Sequence, residues 1–184
     1  MKVLVVVDMQ NDFINGSLGT KEAQAIVPNV KKKVEEAVRN GDMIIYTRDT
    51  HFDNYLDTEE GKKLPVEHCI RGTDGWKIPD DLMPPAYYDY FYVDDKYTFG
   101  LYDLPGRFHE RFMKKGRPFK CAEIELVGLC TDICVVSNAL ILKSFFSDLF
   151  EISVDATCCA GVTPETHEAA LKTMEMCQIN VKRG

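Results

Sequence analysis

The chain has 184 residues, of which 45% are hydrophobic and 28% are charged, and its formal net charge is −7 at pH 7. This length and composition predict a single folded domain over residues 1–184. The acidic balance argues against nucleic acid or an anionic membrane surface as a partner, and no apolar run approaches the ~20 residues of a membrane span.

Apolar runs alternate with helical patterns along the whole chain. KVLVVVD at 2–8 is rich in β-branched residues, which predicts a strand that is buried on both faces. Apolar residues spaced three and four apart then predict a helix that ends at Asn40-Gly41. Strands are predicted next over 43–48, 89–95, 123–129 and 150–156, with 179–182 closing the chain, and helices over 103–115, 132–147 and 163–177.

The alternation of strands and helices predicts an α/β fold, with a parallel sheet covered by helices on both faces. Residues 49–88 form an unusually long connection, which is typical of a functional loop or of a segment with small helices. Ligands of such sheets bind beyond the carboxyl ends of the strands, so the polar residues at those ends are the candidate functional groups.

Four predicted strands end in chemically active side chains. These are Asp8, Asp49 with His51, Lys96, and a corner that contains Cys130 and Cys134. The carboxyl ends of parallel strands share one edge of the sheet, so we expect these groups to lie near one another.

Cys134 is the candidate nucleophile of this group. A cap formed by Thr131 or Asp132 would place the thiol in the first turn of a helix, where the helix dipole lowers a thiol pKa. A thiol nucleophile also needs a base and a stabilising charge, and Asp8 and Lys96 are the candidates.

Asp49 and His51 form a D-x-H pair whose side chains point the same way in an extended chain. His68, in PVEHCIRGT, is a third candidate ligand. One carboxylate and two imidazoles suit Zn²⁺, Fe²⁺ or Mn²⁺, although the D-x-H pattern is also common in proteins without a metal.

Several motifs together resemble one known family. They are DMQNDF (8–13), TRDTH (47–51) with HCIRGT (68–73), DDKYTF (94–99) and GLCTDICV (128–135). In this order they resemble the isochorismatase-like cysteine hydrolases, and most of all the nicotinamidase/pyrazinamidase branch. The resemblance implies a Rossmann-like three-layer α/β/α fold with a six-stranded parallel sheet in the order 3-2-1-4-5-6.

The same resemblance implies a catalytic triad of Asp8, Lys96 and Cys134. It also implies a cis peptide bond between Leu129 and Cys130, which would direct the Cys130 N–H group into an oxyanion hole with the Cys134 N–H group.

The resemblance further implies a divalent metal (Zn, Fe or Mn) on Asp49, His51 and His68, and a place for Phe13 in the wall of the substrate pocket. This chain departs from the branch at two points. Nicotinamidases usually carry an aromatic residue in W-P-P-H-C, where this chain has LPVEHC at 64–69. Some relatives also carry a further histidine between the two metal segments, where this chain has no histidine and the acidic residues Asp53, Asp57 and Glu59 lie instead.

The activity that the resemblance implies is hydrolysis of a small carboxamide, nicotinamide foremost, through a thioester on Cys134. The alternatives are another small-amide or ureido hydrolase of the superfamily, an isochorismatase-type hydrolase, a metal- or thiol-binding relative without turnover, and a redox-sensing thiol protein. The seven cysteines include no C-x-x-C pair and the amino terminus has no signal-peptide core, so we expect reduced thiols and a cytoplasmic location. The family also suggests a homo-oligomer.

Overall fold

The computed structural model of the protein describes residues 2–114, 123–146 and 149–184. Its strands are β1 (Lys2–Val7), β2 (Met43–Asp49), β3 (Phe91–Lys96), β4 (Glu123–Leu129), β5 (Glu151–Ala160) and β6 (Asn180–Lys182). Its helices are α1 (Asn11–Ile14), α2 (Lys21–Asn40), α3 (Glu59–Lys63), α4 (Leu104–Lys114), α5 (Val136–Phe146) and α6 (Pro164–Met176). Short 3₁₀ turns lie at Tyr55–Asp57 and Asp80–Leu82.

The six strands form one sheet in the order β3-β2-β1-β4-β5-β6, and every neighbouring pair is parallel. The predicted three-layer α/β fold and its strand order are therefore confirmed. The strand order reverses between β1 and β4, and the crevice that this reversal opens at the carboxyl ends of the strands is where such folds bind ligands.

β1 is buried on both faces because its residues alternate between two apolar layers. Val3, Val5 and Val7 pack in the layer that contains α4, α5 and α6, whereas Leu4 and Val6 pack in the layer that contains α1 and α2. A continuous apolar run is the sequence that this position requires.

A glycine allows β1 and β4 to approach closely at the reversal point. Gly128 has φ +117°, and a Cβ atom there would lie 2.1 Å from the Val7 carbonyl oxygen. No other residue fits without shifting the backbone, so Gly128 keeps the residues that follow the two strands, Asp8 and Cys130, side by side.

Several predicted elements differ in extent from the observed ones. β5 continues to Ala160 rather than ending at 156, after a register shift against β4 between Leu126 and Gly128. The helix predicted over 132–147 begins as a π-helical turn at Thr131–Val135 and continues as α5. The predicted helix ends at 115 and 147 lie outside the described residues.

The long connection after β2 folds back on the sheet edge instead of extending away from it. His51 and Ile70 form an isolated parallel bridge, with the His51 N–H donating to the Cys69 carbonyl at 3.0 Å. The Asp12 carboxylate accepts the Cys69 N–H at 2.7 Å. These bonds hold His68 next to His51.

No helix within the described ranges has both the length and the apolar character that crossing a membrane requires.

Candidate active site

Three side chains from three strand ends meet at the reversal point of the sheet. The Lys96 Nζ atom lies 2.7 Å from Asp8 Oδ2 and 3.4 Å from Cys134 Sγ. Asp8 is 0% exposed, Lys96 is 1% exposed and Cys134 is 5% exposed. The structure thus brings together the three residues that the sequence singled out, within a single buried ionic group.

Asp8 is distinguished by its backbone conformation and by the contacts of its carboxylate. Its backbone lies in the left-handed region at φ +47°, which is uncommon outside glycine and is often found at functional positions. Thr47 Oγ1 donates to Asp8 Oδ1 at 2.7 Å. Among the described residues, Oδ2 has no hydrogen-bond partner apart from its close contact with Lys96.

The charge states of the three groups follow from their burial. Burial raises the pKa of the Asp8 carboxyl, although Lys96 opposes that rise. Burial alone would lower the pKa of Lys96, but the charges of Asp8, Cys134 and Asp49 raise it well above its usual value. The lysine therefore stays protonated between the carboxylates.

The thiol pKa moves in the direction opposite to our prediction. Burial raises the pKa of Cys134 well above its usual value, and the lowering by Lys96 does not outweigh the rise. The predicted cap is also wrong, because Cys130 caps the π-helical turn without a side-chain hydrogen bond and Cys134 is the fourth residue of that turn. A thiol with a raised pKa becomes a nucleophile only when a base takes its proton, and Asp8 is among the charged groups that act on this thiol.

The corner before the nucleophile has the backbone geometry that the resemblance implies. The peptide bond between Leu129 and Cys130 is cis. Both residues line the same cavity as Cys134.

The three predicted metal ligands converge beside this group. His51 Nε2 lies 3.0 Å and His68 Nε2 lies 3.6 Å from Asp49 Oδ2. Burial alone would raise the pKa of Asp49, but hydrogen bonds to His51 and His68 hold it well below its usual range. The Lys96 Nζ atom also lies 3.1 Å from Asp49 Oδ1, so one ammonium group contacts both the triad and the metal cluster.

Glu60 is a fourth candidate ligand, which the sequence motifs did not indicate. Its Oε1 atom lies 3.8 Å from His51 Nε2 and 3.7 Å from His68 Nε2. Thr58 caps α3 by accepting the Gly61 N–H at 3.0 Å, and this short helix points Glu60 inward. Thr58 followed by the Glu59-Glu60 pair is a sequence signal for a helix start, but it does not indicate which carboxylate faces the two histidines.

The four side chains fit a divalent metal. One atom from each of Asp49, His51, Glu60 and His68 lies within 4.8 Å of the others. Tetrahedral bonds of about 2.0–2.2 Å would set such atoms roughly 3.3–3.6 Å apart, close to the contacts above. His68 Nδ1 lies 2.8 Å from the Val66 carbonyl oxygen, which fixes the imidazole with Nε2 free to bind a metal.

Gln10 supports the metal cluster, although its sequence motif alone indicated no role for it. Its Oε1 atom accepts the Asp49 N–H at 2.7 Å, and its Nε2 group donates to the carbonyls of Asp49 and Trp76, each at 2.9 Å. Gln10 is 0% exposed. It therefore ties the end of β2 to the loop that carries His68.

Both groups open into one cavity of about 640 Å³. Its inner end contains Cys134, Asp49 and His68, and its walls include Phe13. The Phe13 ring lies 5.5 Å from the His68 ring, so Phe13 occupies the pocket position predicted for it.

The isochorismatase domain model matches residues 2–182, nearly the whole chain. The chain belongs to the isochorismatase family. This family member is 27% identical to a nicotinamidase/pyrazinamidase from Mycobacterium tuberculosis over 98% of both chains. The nicotinamidase/pyrazinamidase PncA structure from Bacillus subtilis superposes with a TM-score of 0.81 at 27% identity, covering 100% of both chains. A pyrazinamidase of Pyrococcus horikoshii in complex with zinc superposes with a TM-score of 0.78 at 25% identity, covering 100% of this chain and 99% of that one.

These matches place the isochorismatase-family chain with the nicotinamidase/pyrazinamidase branch. The Pyrococcus protein is in complex with zinc, and this chain has a group of four side chains that could hold a metal ion.

Proposed function

We propose that the protein hydrolyses the C–N bond of a small primary carboxamide, with nicotinamide as the first substrate to test, and releases ammonia and the carboxylic acid. The observation that carries the proposal is the contact of Lys96 with Asp8 and Cys134 at the inner end of a cavity. The named activities of the relatives support the same bond type.

In the first half-reaction, Asp8 takes the thiol proton as Cys134 Sγ attacks the amide carbon. The oxyanion forms next to the cis peptide bond, where the N–H groups of Cys130 and Cys134 stabilise it. Asp8 then delivers its proton to the departing nitrogen, so that ammonia leaves and a thioester remains. Lys96 keeps its charge throughout and limits the cost of the buried negative charges.

In the second half-reaction, water attacks the thioester carbon and gives one proton to Asp8. The thiolate leaves as the acid forms, and Asp8 returns the proton to Cys134, which restores the starting state. A divalent metal held by Asp49, His51, Glu60 and His68 would supply a Lewis acid at the wall of the cavity.

The experiment measures ammonia release from nicotinamide and from a panel of amides and ureido compounds, with and without a chelator. Cys134→Ala should abolish turnover, whereas Cys130→Ala should retain most of it because only the backbone N–H group of Cys130 takes part. Hydroxylamine should trap the acyl group of the thioester as a hydroxamate. Equal losses in the two variants, or no turnover of any panel compound by metal-replete protein, would contradict the proposal.

We propose the cytoplasm as the location, and a homo-oligomer remains a prediction from the family. Gel filtration with light scattering tests the assembly state directly.

A further inference from the structure

The cavity is much larger than a single-ring amide requires. An apolar cavity of about 150 Å³ holds one benzene ring. The cavity here has about 640 Å³, which lies within the roughly 300–1,000 Å³ of pockets that hold drug-sized ligands. A carboxamide with one six-membered ring would leave most of it unfilled.

The outer part of the cavity is mainly apolar, although the exposed residues Glu59 and Lys63 also line it. Leu64 is 39% exposed, Phe99 is 46% exposed and Val162 is 54% exposed, and all three side chains line the cavity. Leu18 and Ile133 add further apolar wall. Large apolar side chains that are exposed together at the rim of a cavity are typical of a surface that a ligand covers.

Leu64 is held in this wall by its backbone. Its N–H donates to the Glu60 carbonyl at 2.8 Å, and the Tyr55 hydroxyl donates to the Leu64 carbonyl at 2.9 Å. The same short helix therefore points Glu60 at the metal cluster and ends in Leu64 at the cavity wall. Leu64 also starts the segment LPVEHC, in which this chain lacks the aromatic residue of W-P-P-H-C.

We propose that the substrate class is a primary carboxamide whose acyl part carries an apolar group beyond its first ring, and that Leu64 determines this preference. The inference rests on the proposed function, because it takes the amide to lie at Cys134. The amide and first ring then occupy the inner end, and the apolar group covers Leu64, Phe99 and Val162. The reaction is unchanged: water adds, the C–N bond breaks, and ammonia and the acid are the products.

The test compares nicotinamide with 5-phenylnicotinamide, which adds an apolar ring to the same amide. In the wild-type enzyme, we expect kcat/KM for 5-phenylnicotinamide to exceed that for nicotinamide by at least about tenfold, chiefly through a lower KM. 5-Carboxynicotinamide adds a charged group at the same position, and its kcat/KM should not exceed that of nicotinamide. A ratio below about tenfold for the phenyl compound overturns the proposal.

Substitution at the wall tests the role of Leu64. Leu64→Trp should fill the outer cavity and reduce the ratio of the two kcat/KM values by about fivefold or more. Leu56→Trp is the matched control, since Leu56 is 49% exposed but does not line the cavity, and it should leave the ratio unchanged. An unchanged ratio in Leu64→Trp refutes the assignment to this residue.

Equilibrium binding separates this inference from the hydrolytic function. Cys134→Ala cannot form a thioester, yet it keeps the cavity, and calorimetry should show at least about tenfold tighter binding of 5-phenylnicotinamide than of nicotinamide. If neither amide is hydrolysed but this preference is measured, the proposed function fails and the apolar subsite stands. Equal affinities overturn the subsite even where nicotinamide is turned over.

Discussion

Replacing Gln10 with methionine should weaken metal binding, although Gln10 is not a candidate ligand. The substitution keeps an unbranched side chain of similar length but removes the amide that holds both backbone groups of Asp49. Asp49 would then lose the fixed position that it needs relative to His51 and His68. The loss of an outer-shell partner typically reduces metal affinity ~10–100-fold, and we expect a loss of that size here.

The same change should lower the free energy of unfolding. The N–H and carbonyl groups of Asp49 lie in buried hydrogen bonds to Gln10, and methionine offers neither a donor nor a strong acceptor. Leaving a buried polar group unsatisfied costs about 1–3 kcal/mol, so two such groups give about 2–5 kcal/mol once some relaxation is allowed. The third bond, to Trp76, is only partly buried and adds little.

The assay is a zinc titration against a chromophoric chelator, together with urea unfolding of the same preparations. Tyr46→Phe is the matched control, because it removes one buried hydrogen bond, from the Tyr46 hydroxyl to the Leu82 carbonyl at 2.8 Å, on the same strand. It should lower the free energy of unfolding by about 1 kcal/mol and leave zinc affinity unchanged. If Gln10→Met binds zinc as tightly as the wild type, or if Tyr46→Phe loses affinity equally, the positioning role is refuted.

Lys96→Met removes the ammonium group between two buried carboxylates. We expect the rate of ammonia release to fall by about 10³-fold or more and the free energy of unfolding to fall by about 3–5 kcal/mol. A steady-state rate of ammonia release within tenfold of the wild-type rate would contradict this. Glu60→Ala should weaken zinc binding at least about tenfold, whereas Glu59→Ala, whose side chain is 86% exposed, should not; similar losses in both would exclude Glu60 as a ligand. Burial alone would raise the pKa of Glu123, but a hydrogen bond from Lys182 helps to lower it to about 2, below its ordinary value of 4.5. The stabilisation by ionised Glu123 is therefore fully present above pH 4.5 and is lost as the pH falls toward about 2. Glu123→Gln should flatten the acid-induced fall in the free energy of unfolding. Parallel curves of that free energy against pH for the two proteins would refute this.

Much of the architecture could be predicted because it depends on local pattern. The run at 2–8 predicted a strand buried on both faces, since it is continuous, apolar and rich in β-branched residues. The rule that ligands bind at the carboxyl ends of parallel strands then selected Asp8, Lys96 and Cys134. The ends of the strands do not follow from local pattern alone. β5 continues four residues beyond its predicted end because a register shift against β4 extends the pairing.

Glu60 and Gln10 show where sequence reasoning stopped. Glu60 is one of several acidic residues in a long connection, and only the direction in which α3 packs decides which of them reaches the two histidines. Gln10 lies in the motif that the family shares, but its bonds join residues 39 and 66 positions away along the chain. Neither the contacts of Glu60 with the histidines nor the hydrogen bonds of Gln10 can be predicted from the local sequence pattern.

The thiol of Cys134 shows most clearly which properties follow from the sequence and which follow from the tertiary structure. The sequence by itself determined the alternation of strands and helices and the residue types at the strand ends, because each depends on neighbours along the chain, whereas the strand order was implied by the family resemblance. Only the tertiary structure decided the charge states, because burial and the charges of Asp8, Lys96 and Asp49 act on Cys134 through space. Desolvation in the folded core outweighs the lowering by the nearby Lys96 ammonium group, and so the thiol pKa rises where the local pattern predicted a fall.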